Sequence, residues 1–227
     1  MLMKRQYYPD IQDLVAGFTD YATTVLNRTL TKQPQASLVV PGGNTPRYFL
    51  PELAKCTLSW NRITVTLSDE RWVDIDHEES NERLVRENLL AHLPENANFV
   101  GLKTPHSSPV NAIDEIEQRL NTLYTPLSLT VLGLGEDGHI ASLFPGTNSA
   151  KQETTHHCVA VDQPFAPSAR ISLSLSLLTN SEHIALVVVG DQKRQLLDQL
   201  HIKENPKLPI TWLTQRSNSP VTVFETN

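Results

Sequence analysis

The chain has 227 residues, 39% of them apolar, with a formal net charge of −6. That length is ample for a buried core and suits one large α/β domain or two small ones. The acidic balance argues against a dedicated nucleic-acid surface, and no apolar run is long enough to cross a bilayer, while a local basic pocket for a small anion stays compatible with both.

Cys56 and Cys158 lie far apart and lack metal-type spacing, which fits a reduced, cytoplasmic setting. Met1 to Pro9 has no apolar h-region, so a secretory signal is not expected there. From about Asp10 to Leu30, the residues Ile11, Leu14, Val15, Phe18, Ala22, Val25 and Leu26 recur at helical spacing and predict an amphipathic helix. Ala36 to Val40 reads as a short buried strand. It runs into Pro41-Gly42-Gly43-Asn44-Thr45-Pro46. Two glycines let the backbone turn with its N–H groups converging, Thr45 is a good helix cap, and Pro46 suits a first helical position. Strand, glycine turn and helix start together make a common phosphate site, because free N–H groups and the helix dipole favour an anion. A plain capped turn would carry the same residues, and no Gly-Lys-Ser/Thr follows, so this is not a Walker loop. Pro51 should kink the next helix or end it early.

Ile63 to Leu67 predicts a second strand, ending in Ser68-Asp69-Glu70-Arg71-Trp72-Val73. Two acids and an arginine at a strand end could form a salt-bridged cap, or could line a pocket with Arg71 reaching an anionic oxygen through its forked guanidinium. Glu79 to Leu90 reads as a helix capped by Ser80 or Asn81. Asn98 to Leu102 suggests a short strand and His106 an exposed loop. Val110 to Tyr124 has a helical pattern with Ile113, Ile116, Leu120 and Leu123 inward.

Leu129 to Leu132 is an apolar, β-branched run that breaks into Gly133-Leu134-Gly135-Glu136-Asp137-Gly138-His139, followed by Ile140 to Phe144 and Pro145-Gly146. A hydrophobic strand ending in glycine, acid and imidazole resembles the carboxyl edge of an open α/β sheet, where such folds place ligands. A tight turn with a solvated Asp and a surface His is the bland alternative. His156-His157-Cys158 lacks a second cluster of ligands, so no metal site is read there. Val159 to Val161 is a short strand and Pro164 to Ser168 an extended loop. Arg170 should begin an alternating strand, with a helical segment through Leu178. His183 to Gly190 is the clearest buried strand. Asp191 is expected to cap the next helix, whose first turn holds Lys193; a cation there opposes the helix dipole, which a bound anion or plain solvent would relieve. Ile210 to Leu213 and Val221 to Phe224 are expected to finish the sheet. The alternation predicts an α/β fold with a mostly parallel sheet covered by helices on both faces, and puts the three polar strand ends on one edge.

These motifs are specific enough to name a family. The blocks Pro41–Pro46, Asp69–Val73, Ser80-Asn81, Gly133–Gly146, Arg170–Leu173 and Gly190–Lys193 occur in order and resemble the 6-phosphogluconolactonase family. The resemblance implies a Rossmann-like fold over residues 1–227 as one domain, shared with glucosamine-6-phosphate deaminases. It also implies hydrolysis of 6-phosphoglucono-1,5-lactone in the oxidative pentose phosphate pathway, in the cytoplasm. No cofactor or metal, no nucleic acid and no membrane is implied, and the expected partner is the sugar-phosphate lactone, with the oligomeric state left open. Where the family's glycine turn more often reads Ser-Gly-Gly-Ser-Thr-Pro, this chain has Pro41 and Asn44; the backbone donors survive, and the Asn44 amide can donate. The deaminases typically have Asp-Glu-Tyr where this chain has Asp69-Glu70-Arg71, and a glutamate where it has Phe144.

Carried over onto this chain, the resemblance puts the phosphate on Gly42, Gly43, Asn44 and Thr45, closed over by Arg170 and Lys193. His139 becomes the general base, with Asp137 to orient it. Arg71 serves the developing oxyanion or, alternatively, the phosphate. Asp69 and Glu70 are expected to hold Arg71. Ser142 lacks the Gly-x-Ser-x-Gly setting of a nucleophile. A non-catalytic sugar-phosphate sensor would need no His139, but no DNA-binding segment is legible.

Overall fold

The computed structural model describes residues 3–147, 155–161 and 168–227. Seven parallel strands form the main sheet in the order β1-β10-β9-β6-β2-β3-β5. They are β1 (Met3–Tyr7), β2 (Ala36–Val40), β3 (Ile63–Leu67), β5 (Asn98–Val100), β6 (Leu129–Leu132), β9 (Ile184–Val189) and β10 (Val221–Thr226). A second, antiparallel sheet joins β4 (Asp69–Arg71), β8 (Arg170–Leu173) and β7 (Cys158–Val161). The α/β class expected from the alternation is the class observed.

Central strands of a sheet covered on both faces read as continuous apolar runs. β2 is buried at every residue, and β6 likewise. Helix α1 (Ile11–Lys32) opens on Asp10, whose carboxylate accepts from the N–H groups of Gln12 and Asp13 at 2.9 Å. It buries Phe18, which packs against Phe49 at 4.6 Å and edge-on to Phe224 at 5.5 Å. Polar groups inside the sheet are paired, as burial demands. Ser37 and Ser128 exchange hydrogen bonds, each hydroxyl accepting the other's backbone N–H at 3.1 and 3.0 Å.

The strand order reverses at the centre. From β2 the chain builds outward through β3 and β5, whereas β6, β9 and β10 lie on its other side. Because β2 pairs in parallel with both β3 and β6, the loops leaving all three emerge on the same edge of the sheet. Diverging crossovers at such a switch leave a crevice between the first two loops.

Several local expectations need correction. Ile210 to Leu213 is not a strand but lies in helix α7 (Pro209–Arg216), the seventh α-helix along the described chain; Pro209 at its first position pre-sets the helical φ, and a four-residue apolar run does not tell strand from helix. Thr45 does not cap α2 (Pro46–Ala54): it is already helical, with φ −57°, and its side chain makes no capping bond. Asp191 is the first residue of α6 (Asp191–Ile202), and Gly190 is the cap. Pro51 leaves α2 running for three more residues. β1 carries no sequence signal, since Met3-Lys4-Arg5-Gln6-Tyr7 has no apolar alternation; as an outermost strand it is held by its ladder to β10 and by Arg5, whose Nη2 meets Glu225 at 2.6 Å. The loop expected over Pro164 to Pro167 and most of the polar stretch from Asn148 to Thr155 lie outside the described residues.

Candidate active site

The crevice above β2 and β6 is lined by Gly42, Gly43, Asn44 and Thr45 from the first loop and Asp69 and Arg71 from β4. His139, Arg170 and Lys193 complete its wall. The glycine turn has a steric reason for each glycine. A methyl group on Gly42 would stand 1.9 Å from Asn81 Oδ1, and Gly43 has a φ of +89°. Thr45, freed from capping, turns its residue to the crevice.

The three residues of β4 divide by strand alternation, since neighbours on a strand point to opposite faces. Asp69 and Arg71 line the crevice. Glu70 points away and is fully buried at the start of α3 (Asn81–Asn88). Its carboxylate accepts from the backbone N–H groups of Asn81, Glu82 and Arg71 at 2.7, 2.7 and 2.8 Å and from the Ser80 hydroxyl at 3.1 Å. Burial pushes the Glu70 carboxyl up to about 7, against the pull of those N–H donors. Ser80 is the cap, accepting from the N–H of Arg83 at 3.1 Å.

Asp69 and Glu70 therefore do not hold the Arg71 guanidinium. Glu70 holds the Arg71 backbone, and the guanidinium donates to the Glu79 carbonyl at 2.7 Å. Asp69 is committed to two hydroxyls, Ser68 at 2.9 Å and Ser142 at 2.5 Å.

Arg71 and Arg170 are register partners across β4 and β8, so two cations stand side by side. The Nε of each is buried with no hydrogen-bond partner among the described residues. Burial first, and the neighbouring Arg71 second, push the Arg170 guanidinium below its ordinary value. Two half-buried like charges that lack ion-pair partners among the described residues favour an anion between them. Lys193, in the first turn of α6, adds a third cation and has no ion-pair partner among the described residues.

The turn after β6 carries the imidazole. Gly135 and His139 close it with a backbone bond of 2.9 Å, and Gly138 takes a φ of +84°. Asp137 Oδ1 receives both the His139 backbone N–H, at 3.1 Å, and ring Nδ1, at 2.6 Å. That carboxylate assigns the ring proton to Nδ1 and leaves Nε2 with its lone pair. A methyl group on Gly135 would lie 2.0 Å from His139 Nδ1, so only glycine lets the ring pack there. The ring also rests on Phe144, with centroids 4.7 Å apart. Next to it Ala141 adopts a φ of +49°, an uncommon conformation for a residue with a side chain.

The structure thus gathers every candidate around one crevice, with Asp137 behind His139 and Glu70 behind β4. Sequence reasoning did not place Asn81 in the crevice wall, where it touches Gly42 and donates to the Asp69 carbonyl at 2.8 Å. A polar side chain at the first turn of a helix gives no sign of the loop it will face. His157 and Cys158 lie on or beside β7 near Glu117, away from the crevice.

The comparisons agree with this arrangement. The family described as glucosamine-6-phosphate isomerases/6-phosphogluconolactonase matches residues 9–223. A 6-phosphogluconolactonase of Pseudomonas aeruginosa is 36% identical over 190 residues, covering 82% of this chain and 80% of that protein. One from Rhizobium meliloti is 31% identical over 216 residues, with 93% of each chain covered. The crystal structure of a 6-phosphogluconolactonase from Shewanella baltica superposes with a TM-score of 0.92 at 33% identity, over 99% of this chain and 98% of that one. With the crevice, the turn motifs and these relatives in agreement, the chain belongs to the glucosamine-6-phosphate isomerase/6-phosphogluconolactonase family.

Proposed function

We propose that the protein hydrolyses 6-phospho-D-glucono-1,5-lactone to 6-phospho-D-gluconate, the second step of the oxidative pentose phosphate pathway. The observation that carries this reading is the Asp137–His139 pair, 2.6 Å apart, in the same crevice as the unneutralised Arg71–Arg170 pair. The first is suited to activating water and the second to holding a phosphate.

In the proposed scheme the phosphate sits on the Gly42–Thr45 turn, closed over by Arg170 and Lys193. Binding energy from that remote group fixes the lactone carbonyl beside His139. Nε2 takes a proton as the water oxygen bonds to C1. The oxyanion so formed faces Arg71, and collapse breaks the bond from C1 to the ring oxygen, which takes the proton back from Nε2. The new carboxyl group then ionises, so each turnover releases one proton. Asp137 keeps the tautomer and stabilises the transient imidazolium. No metal ion takes part in the scheme.

A family that also contains deaminases requires a test that separates the two activities. Mixing the protein with freshly made lactone should release protons far above the spontaneous rate. His139→Ala should remove about 10²–10⁴-fold of that acceleration. Ammonia release from glucosamine 6-phosphate without lactone hydrolysis would replace this reading with the deaminase one.

A further inference from the structure

Ser142 lies behind the crevice wall, against Asp69 and Arg170 of its lining, and the scheme above does not use it. Its side chain is fully buried. Its hydroxyl donates to Asp69 Oδ2 at 2.5 Å, and Arg170 Nη1 donates to the Ser142 Oγ at 3.5 Å. Its backbone N–H donates to the Ser172 hydroxyl at 3.3 Å. One residue of the histidine turn is thereby joined to β4 and to β8.

The direction of these bonds matters. A serine hydroxyl has one proton, and the charged acceptor Asp69 takes it. Toward Arg170 the oxygen can then only accept. The hydroxyl therefore stands between a buried carboxylate and a half-buried guanidinium that would otherwise meet. A direct Asp69–Arg170 ion pair would occupy the guanidinium fork and cancel its charge. With Ser142 interposed, Arg170 feels the Asp69 charge, which offsets the repulsion from Arg71, yet spends only one long Nη1 contact on the serine and keeps its Nε without a partner among the described residues.

We infer that Ser142 is a positioning residue that separates Asp69 from Arg170, and so keeps Arg170 available to a phosphate or another tetrahedral oxyanion in the crevice. This rests on the phosphate role given to Arg170 in the proposed function. Ser142 acts through Arg170 and touches neither water nor the lactone carbonyl.

The test is binding of inorganic phosphate and of 6-phosphogluconate by calorimetry, alongside lactone kinetics, in the wild type and in Ser142→Ala. The expected result is a tenfold or greater rise in Kd and KM, with the loss carried by KM and not by kcat. Ser142→Thr, which keeps the hydroxyl, should restore most of the affinity. In an Arg170→Lys background, Ser142→Ala should have little further effect, because coupled residues are not additive. Thermal melting checks folding; should Ser142→Ala be unfolded at the assay temperature, the near-isosteric Ser142→Cys, a weak donor, takes its place. Unchanged phosphate affinity in a folded variant, a loss confined to kcat, or an undiminished effect in the Arg170→Lys background would each overturn the inference. A wild type that binds neither anion would instead overturn the proposed function.

Discussion

Replacing Asp137 by asparagine separates two jobs that the carboxylate does at once. A single oxygen, Oδ1, receives the His139 backbone N–H at 3.1 Å and ring Nδ1 at 2.6 Å. In Asp137→Asn both donors select the amide oxygen over the amide nitrogen, so the ring keeps its proton on Nδ1 and its orientation. What is lost is the charge. A hydrogen bond to a charged partner contributes about 1.5–3 kcal/mol, against about 1 for a neutral one. The Asp137 side chain is 53% exposed, and solvent screening holds the difference near the lower end. About 1.4 kcal/mol is a factor of ten in rate. The difference is then about 0.5 kcal/mol, so Asp137→Asn should lose only about two- to threefold in kcat, whereas Asp137→Ala, which frees both the ring and its tautomer, should lose roughly a hundredfold or more. Initial rates of proton release, corrected for spontaneous hydrolysis, read both. Equal losses in the two variants would refute the argument that one oxygen fixes the tautomer. A loss in Asp137→Asn as large as in His139→Ala would refute it too.

Other outcomes follow from the same geometry. Gly135→Ala should fold but lose most activity, because the new methyl group displaces the His139 ring from 2.0 Å away; crystallography or activity at full substrate would reveal an unmoved ring if this is wrong. Glu70 holds its proton more tightly folded, at about 7, than the ordinary 4.5. Its contribution to stability is thus fully present below 4.5 and fades as pH rises through 7, by roughly 3 kcal/mol in all. Urea unfolding of the wild type and Glu70→Gln should show stability curves that diverge across that window; parallel curves would rule the shift out. Thr45→Ala should leave thermal stability within about 0.5 kcal/mol, since Thr45 caps nothing, while Ser80→Ala should cost about 1 kcal/mol or more through the lost cap.

The parts of this molecule that are periodic or spaced locally were legible without coordinates. α1, the buried runs of β2, β6 and β9, and the glycine turns all announce themselves through apolar spacing or through residues that only a turn requires. The three strand ends could be put on one edge because parallel strands leave no other arrangement. Pairing across the chain was not legible. That Arg71 and Arg170 stand opposite each other depends on a second sheet whose strands are 3 and 4 residues long, too short for a pattern to specify. Asn81 and Ser142 matter through the groups they touch, 12 and 73 residues away. Ile210 to Leu213 failed for a different reason: burial on one helix face and burial in a strand give the same four letters.

The opposed faces of β4 have a consequence for insertions and deletions. Side chains alternate, so a shift of one residue in this segment exchanges the two faces. Removing Ser68 alone would put Glu70 at the crevice in the place of Asp69, and Arg71 at the amino end of α3 in the place of Glu70. The crevice would lose a guanidinium, and the helix end would receive it in place of the carboxylate its N–H groups now share. A length change of one residue here does not trim the site: it takes the cation out of one wall.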